Sequence, residues 1–329
     1  MRALGIDLGG TKLLACLTAE DGTVLARTVR PTGRNTGPSA ARRLILDAAT
    51  ELRRTAGQFD SAGLGFPGQV DFQRGFVGGS VMLDGWSAVP LAESIADALS
   101  VPCVVDNDVN CAAIAELRAR GDDLPGSMLF VAVGTGIGGA ITIGRQLWRG
   151  HSGVAGEIGN VTIDHHGEQC WCGRRGCLNT LASGSAIERR LGDARSLTEH
   201  RESTNPEVLR VLAEAATALG VGIANALNLL NPELVVFGGG VAELGESWLE
   251  VVARTARGEA FPEAGRCRFE PARAGYDAGA IGAALLAIEA FQNLGELELA
   301  ATTSLSPAAP GAGGARDSRT PSGVPRLVR

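Results

Sequence analysis

Three polar residues follow an apolar run in the first third of the chain, and their types suit acid–base chemistry. Residues 101–105 predict a buried strand, and Asp106, Asn107 and Asp108 come directly after it. A carboxylate at the end of such a strand can accept the proton of an attacking hydroxyl. The same residues could instead cap the helix predicted over 110–120. From the residues alone, both interpretations stay open.

Three glycine-rich turns form a second group, because each follows an apolar run and could hold a phosphate-bearing ligand. Glycine lets backbone N–H groups approach a phosphate without a side-chain clash. The chain lacks the GxxxxGK[ST] pattern of a P-loop, and the residues after GTGIGG predict a strand where a dinucleotide-binding fold has a helix. The turns are DLGGTK at 7–12, VGTGIGG at 133–139 and FGGGV at 237–241.

Three of the seven cysteines are clustered at a spacing typical of metal ligands. Cys170, Cys172 and Cys177 follow a CxCx4C pattern, and Gly173 and Gly176 allow a tight loop around an ion. Three thiolates and one further ligand would complete a closed, tetrahedral structural zinc site. The spacing is not CxxC, so a redox pair is not indicated.

The elements that must position these residues form two similar patterns. Residues 3–18 and 128–143 each read as strand, glycine turn and strand, and this internal repeat predicts two related α/β lobes. A further strand is predicted over 63–68 and another over 234–237. Helices are predicted over 38–56, 90–99, 110–120, 185–191, 206–229, 245–257 and 278–292.

Composition excludes several classes of function. The net charge of −6 argues against a general nucleic-acid or membrane-surface binder. No apolar run is long enough to span a membrane, and the N-terminus does not resemble a signal peptide, so we expect a cytoplasmic protein. Residues 300–329 are rich in Ala, Pro, Gly, Ser and Thr and predict a disordered tail.

Motifs in order along the chain resemble those of one family. GIDLGGTK at 5–12, VAVGTGIGGAI at 131–141 and VVFGGGVA at 235–242 are similar to the two phosphate motifs and the adenosine motif of the sugar-kinase, Hsp70 and actin superfamily. Within it, residues 3–290 resemble ROK-family sugar kinases (repressors, open reading frames and kinases). The further matching motifs are GFPGQVD at 65–71, VDNDVNCAA at 105–113, AGEIGN at 155–160 and CWCGRRGCLN at 170–179.

The resemblance implies a two-lobed, actin-like (ribonuclease H-like) ATPase fold with ATP and substrate in the cleft between the lobes. The lobes would be residues 1–120 and 121–299, with the tail at 300–329. The resemblance also implies ATP and Mg²⁺ as cofactors, with Asp7 facing the Mg²⁺–phosphate region through water. Lys12 would contact a phosphate by charge, or else be a solvated lysine. The other implied nucleotide contacts are Gly9, Gly10, Thr11, Thr135 and Gly136 at the phosphates and Gly239 at the adenosine.

The resemblance also implies which residues contact the sugar that accepts the phosphoryl group. Asp108 matches the family's catalytic base and Asn107 its sugar-contacting Asn, whereas Asp106 replaces the usual Glu and is not expected to touch substrate. Glu157 holds the position of a sugar-binding Glu, and Gly68 that of a backbone contact to the sugar.

Three positions depart from the family pattern. Asn160 replaces a His, Asn179 replaces a Glu, and Met82 replaces an Asn. The resemblance places all three positions at the hexose, so these changes should alter which polyol fits. The replaced His is also the family's fourth zinc ligand. His165 or His166 could take over that role, with His165 preferred, or both could lie in an ordinary surface loop.

The resemblance therefore predicts an ATP-dependent kinase that phosphorylates a hydroxyl of a hexose or sugar-like polyol, acting as a homodimer or homotetramer. One alternative is a C7-cyclitol or modified-sugar kinase of an aminocyclitol natural-product pathway. Another is a non-catalytic sugar-binding regulator. A repressor with a helix-turn-helix domain is not expected, because the first phosphate motif begins at Gly5.

Overall fold

The computed structural model describes residues 1–80, 82–192, 197–240 and 244–303. The described chain divides into two compact units. The first unit consists of Met1–Cys111 together with the residues from Gly279 onward, and the second consists of Ala112–Ala278. Each unit is built on one five-stranded sheet, so the predicted internal repeat is confirmed.

The first unit has the strand order β3-β2-β1-β4-β7. Strands β1 and β2 pair antiparallel across the first glycine turn, whereas β4 and β7 continue the sheet in parallel with β1. A short hairpin, β5–β6, lies in a separate sheet. The strands are β1 Arg2–Leu8, β2 Lys12–Ala19, β3 Val24–Pro31, β4 Ser61–Phe66, β5 Val70–Asp71, β6 Phe76–Val77 and β7 Cys103–Asn107; the helices are α1 Pro38–Ala56 and α2 Leu91–Leu99.

The second unit has the strand order β10-β9-β8-β11-β12, with the same pattern of one antiparallel hairpin and two added parallel strands. Helix α3 carries the chain from the first unit into the second. The strands are β8 Ser127–Val133, β9 Ile137–Ile143, β10 Gln146–Leu147, β11 Leu234–Gly238 and β12 Arg268–Pro271; the helices are α3 Asp108–Arg120, α4 Leu178–Ala182, α5 Gly184–Leu191, α6 Pro206–Leu230 and α7 Glu246–Glu259.

The last helix, α8 (Ala278–Thr303), corrects the predicted lobe boundary at residue 299. A Cβ on Gly5 of β1 would lie 1.9 Å from the carbonyl oxygen of Ala280, and a Cβ on Gly63 of β4 would lie 1.8 Å from that of Ala283. The helix backbone thus rests directly on the first sheet, where only glycine leaves room for it. The chain returns to the first unit at this helix, which the sequence prediction had assigned to the second lobe.

Five strands were missed by the sequence prediction, namely β3, β5, β6, β10 and β12, and the tail was only partly tested. Strands β5, β6 and β10 have two residues each. Strand β3 is a half-exposed edge strand without a continuous apolar run, and β12 is very short. Helix α8 extends past the predicted start of the tail at residue 300, and residues 304–329 lie outside the described residues. Among the described helices, none has the length and apolarity needed to cross a membrane.

Candidate active site

The turn between β7 and α3 is fixed by its first two polar residues. Asp106 is buried, and its Oδ1 accepts hydrogen bonds from Asn110 Nδ2 at 2.8 Å and from the Asn107 N–H at 2.7 Å. Asn107 Oδ1 accepts from the N–H groups of Val109 and Asn110, as a helix cap does. The capping interpretation therefore holds for Asn107, and Asp106 is part of the scaffold.

Asp108 is the first residue of α3 and is only partly exposed. Its Oδ1 accepts from the Val109 N–H at 2.9 Å, within the first turn of the helix. Asn107 Nδ2 donates to the carbonyl oxygen of Gly68 at 3.4 Å. The structure thus brings together Gly68, Asn107 and Asp108. These are the three residues of the first unit that are predicted to contact the sugar substrate.

The first glycine turn is closed by backbone hydrogen bonds. The Gly9 N–H donates to the Lys12 carbonyl at 2.8 Å, and Thr32 Oγ1 donates to the Gly9 carbonyl at 2.7 Å. A Cβ on Gly10 would lie 3.0 Å from Met82 Cβ. Met82, one of the three departures from the family pattern, therefore packs against the turn that the sequence assigned to phosphate.

Asp7 lies on β1 just before this turn. Burial raises the pKa of its carboxyl from the ordinary 3.8 to about 6, and the positive charge of Lys12 opposes the shift. A Cβ on Gly279 would lie 2.6 Å from Asp7 Oδ2, so the beginning of α8 packs closely beside the carboxylate. A poorly solvated carboxylate beside a glycine turn suits a site for hydrated Mg²⁺ and phosphate.

The second glycine turn is anchored to the start of α5. The Gly184 N–H donates to the Gly134 carbonyl at 2.7 Å, and Ser185 Oγ donates to the Thr135 carbonyl at 2.7 Å. Gly239, after β11, has a φ of +83° and would place a Cβ 2.5 Å from the Val133 carbonyl oxygen. The turns predicted to bind phosphate and adenosine therefore meet within the second unit, although Val241 of the latter lies outside the described residues.

A chain of side-chain hydrogen bonds runs from Glu157 to the same turn. Asn160 Nδ2 donates to Glu157 Oε2 at 2.9 Å, and Asn179 Nδ2 donates to Asn160 Oδ1 at 3.2 Å. Asn179 Oδ1 in turn accepts from the Ile137 N–H at 2.7 Å. Desolvation raises the pKa of Glu157, and the bond from Asn160 opposes this. Asn160 and Asn179, two of the residues that depart from the family pattern, are therefore hydrogen-bonded to each other.

The three clustered cysteines form a group that suits zinc. The Sγ atoms of Cys170, Cys172 and Cys177 all lie within 4.8 Å of one another. The Cys170 N–H donates to the Arg174 carbonyl at 2.7 Å, and the Gly173 N–H donates to the Cys170 carbonyl at 3.0 Å, which closes the loop around the thiols. Three converging thiols match the ligand set of a structural zinc site.

The predicted fourth ligand is not brought into this group. Within the described residues, the cluster contains the three cysteines and no histidine. His165 is exposed in a tight turn, which Asp164 closes by accepting the His166 N–H on Oδ1 at 2.9 Å and the Gly167 N–H on its carbonyl at 3.0 Å. His165 and His166 therefore lie in a surface loop, which was the alternative to a role as zinc ligand.

Sequence reasoning missed several residues that hold the site. Asn110 fixes Asp106, and its position four residues later on the helix was the available signal. Ser183 caps α5 by accepting the Ala186 N–H, and Ser185 binds the second turn. Gly279 makes room for Asp7. No local motif could reveal that contact, because it joins opposite ends of the chain.

Comparison with known proteins places this chain in a family. A sequence model of the ROK family matches residues 3–290. The chain belongs to the ROK family. The glucokinase of Halalkalibacterium halodurans is 33% identical over 310 residues, covering 85% of this chain and 92% of that protein. The N-acetylmannosamine kinase of Yersinia pseudotuberculosis is 32% identical over 292 residues, covering 87% and 98%.

A solved structure agrees with this placement. The ROK-family glucokinase of Streptomyces griseus, in complex with glucose and AMPPNP, has a TM-score of 0.79 and 28% identity, covering 88% of this chain and all of that chain (100%). The predicted two-lobed, actin-like α/β ATPase fold is confirmed. The chain is accordingly an enzyme, an ATP-dependent sugar phosphotransferase.

Proposed function

We propose that this ROK kinase transfers the γ-phosphoryl group of ATP to a hydroxyl of a hexose or sugar-like polyol other than glucose, with Asp108 as the general base. The observation that supports the catalytic part best is the β7–α3 turn. There Asp106 and the helix cap hold the backbone, and Asn107 is bonded to Gly68 beside the Asp108 carboxylate.

Phosphoryl transfer requires positioning, charge neutralisation and a group that takes the proton of the attacking hydroxyl. In the proposed reaction the acceptor oxygen attacks the γ-phosphorus, its proton passes to Asp108, and the bond to the β-phosphate oxygen breaks to release ADP. Asn107 and Glu157 would hold the acceptor hydroxyls. Bound Mg²⁺ would neutralise phosphate charge, and Asp7 would hold it through water.

The nucleotide would be held by backbone rather than by side chains. In each hairpin turn one glycine N–H closes the turn itself, Gly9 to the Lys12 carbonyl and Gly134 to the Gly136 carbonyl. Other backbone N–H groups of the turns would bind the phosphates, and glycine keeps Cβ atoms out of the way. Lys12 adds a positive charge near Asp7, where it opposes the rise in the pKa of that carboxyl that burial causes. The proposed contacts are Gly9, Gly10, Thr11, Lys12, Thr135 and Gly136 at the phosphates and Gly239 at the adenosine.

The proposal that the acceptor is not glucose rests on two neighbouring residues that depart from the family pattern. Two uncharged amides, Asn160 and Asn179, stand where the family pattern has an imidazole and a carboxylate, and they are bonded to each other. A site that has lost a carboxylate accepts fewer hydrogen bonds from acceptor hydroxyls. The chain is 33% identical to a glucokinase and 32% identical to an N-acetylmannosamine kinase, so sequence identity does not favour glucose as the acceptor. A C7-cyclitol keeps a reacting hydroxymethyl arm and is one acceptor to test.

We also propose a structural zinc ion held by Cys170, Cys172 and Cys177. The ion would fix the loop that follows Asn160, whose carbonyl accepts a hydrogen bond from Arg174 of the cysteine loop at 2.7 Å. The homodimer or homotetramer expected from the sequence stays a prediction.

The test is a comparison of kcat/KM with Mg–ATP across glucose, mannose, fructose, glucosamine, N-acetylhexosamines and C7-cyclitol ketones. We expect an acceptor other than glucose to rank first, at about 10⁴ M⁻¹s⁻¹ or more. Glucose in first place would refute the acceptor proposal. Lack of turnover with every acceptor would instead favour a non-catalytic sugar-binding protein.

The same assay tests the base. With the best acceptor, Asp108→Asn should lower kcat by roughly 10²–10⁴-fold, the usual contribution of a general base. The matched control is Asp21→Asn, the same substitution on an exposed hairpin residue of the first unit, which should keep native kcat. If Asp108→Asn stayed within about tenfold of native kcat, another group would have to accept the proton.

A further inference from the structure

The side chain of Asn179 links two parts of the second unit to which the proposed function gives separate tasks. On one side its Oδ1 accepts the Ile137 N–H, which directly follows the turn at Thr135 and Gly136. On the other side its Nδ2 donates to Asn160 Oδ1, and Asn160 holds Glu157. Three hydrogen bonds thus join the phosphate turn to the acceptor carboxylate.

A second route from Asn179 reaches the other side of the same turn. Its carbonyl oxygen accepts from Ser183 Oγ at 2.7 Å, and Ser183 Oγ lies 3.1 Å from Ser185 Oγ. Ser185 Oγ donates to the Thr135 carbonyl at 2.7 Å. Each serine hydroxyl has one proton, and both protons are used in these donations, so the two serines are in contact without a hydrogen bond between them. Asn179 is therefore hydrogen-bonded to residue 137 directly, and it is linked to residue 135 only through the contact of the two serines.

We propose that Asn179 is a positioning residue that couples the phosphate turn to Glu157 through Asn160, so that nucleotide binding orders the acceptor site. The proposal rests on the proposed function, because it takes residues 133–139 to bind phosphate and Glu157 to bind the acceptor. Sites joined by such a network typically change each other's affinity about 5–150-fold.

Backbone packing offers a competing route, and the experiment must separate the two. A Cβ on Gly156 would lie 2.4 Å from the Gly139 carbonyl oxygen, and a Cβ on Gly159 would lie 2.1 Å from that of Ile137. Residues 156–160 therefore also rest directly on β9. If packing alone carries the coupling, the loss of the Asn179 amide should not interrupt it.

The experiment is amide hydrogen exchange on the full chain with and without Mg–AMPPNP, read separately at residues 133–139 and 156–160. In the native protein we expect the nucleotide analogue to slow exchange about fivefold or more in both segments. In Asn179→Ala, slowing should persist at 133–139 and fall below about twofold at 156–160. Asn160→Ala keeps the Asn179–Ile137 bond and should give the same result, so it decides the matter if Asn179→Ala fails to fold.

A matched control is available in the same unit. Asn228 Oδ1 accepts the Phe261 N–H at 2.7 Å, the same type and length of bond as that from Ile137 to Asn179. Asn228→Ala should leave both segments as in the native protein. Native slowing at 133–139 alone, or slowing of both segments in both Asn179→Ala and Asn160→Ala, overturns the coupling. Slowing in neither native segment overturns the proposed nucleotide site itself.

Discussion

The two units build the same sheet but do not carry the same chemistry. In each, an antiparallel hairpin closed by a glycine turn lies beside two parallel strands. Asp7 precedes the first turn glycine, Gly9, by two residues, and the corresponding residue before Gly134 in the second unit is Ala132. At this position the first unit therefore has a carboxylate and the second unit has a methyl group. In the proposed function, a repeated scaffold thus supplies two turns for the phosphates and one carboxylate for the cation.

The turns after the parallel strands show the same division. Strand β4 ends at Phe66 and leads to Gly68, which is bonded to Asn107; β11 passes Phe237 and leads to Gly239, which packs on the end of β8. Equivalent turns are thus used for the proposed acceptor in one unit and for the proposed adenosine in the other. The loop between strands, more than the strand itself, decides which ligand is contacted.

The sheet edges differ most. In the first unit β3 has 8 residues, whereas its counterpart β10 in the second unit has 2. After β10 the chain forms an irregular segment that contains Glu157, Asn160 and the three cysteines. In place of a regular edge strand, the second unit therefore has a loop that carries a carboxylate and three clustered cysteines.

The largest effect should follow from breaking the contact between β4 and α8, which lies within the first unit. Gly63→Ala would drive a Cβ to 1.8 Å from the Ala283 carbonyl oxygen, and backbone atoms on both sides leave no rotamer to relieve the clash. We expect a loss of about 4 kcal/mol or more in the free energy of unfolding, measured by urea titration. Gly33→Ala, which meets no atom within 4 Å, is the control. Equal midpoints for the two variants would show that α8 does not rest on β4.

A smaller effect on stability is expected at the cysteine cluster, which lies in the second unit. Purified protein should contain one zinc per chain, and Cys177→Ser should lose that zinc and lower Tm by roughly 5–10 °C. Cys267→Ser, a buried cysteine of the same unit outside the cluster, should keep the zinc. Zinc-free native protein prepared without chelators would contradict the proposed site.

Local patterns in the sequence were sufficient for most of this fold. The helix at 38–56 and both glycine hairpins follow from apolar spacing and turn residues, and the structure confirms them. The lobe boundary did not follow, because α8 is recruited to the first unit by Gly5 and Gly63, whose role depends on residues far away in the chain. The pairing of Asn160 with Asn179 was equally invisible, since each was judged only against its own motif.

The smallest predicted effect on stability concerns Asp7, the carboxylate that distinguishes the two hairpins. The question is whether its charged form lowers the free energy of unfolding. The pKa of Asp7 is raised from 3.8 to about 6 by burial, so the folded chain holds this proton more tightly than the unfolded chain. Its contribution to stability is therefore full below about pH 4 and is lost as the pH rises through 6. Asp7→Asn, which resembles the protonated form, should escape that loss.

Native protein and Asp7→Asn should therefore have similar stability near pH 4 and diverge as the pH rises to 7. The full shift corresponds to about 3 kcal/mol; because the side chain is half-buried, we expect a gain of roughly 1–2 kcal/mol for the variant at pH 8. Urea titrations without Mg²⁺ at several pH values measure it, with Asp21→Asn as the exposed control. The same variant should lose on the order of 100-fold in kcat, because phosphate and cation would be misplaced. A variant that is less stable than the native protein at pH 8 would show that Asp7 is satisfied in the folded chain, and the two hairpins would then differ in sequence without differing in electrostatic cost.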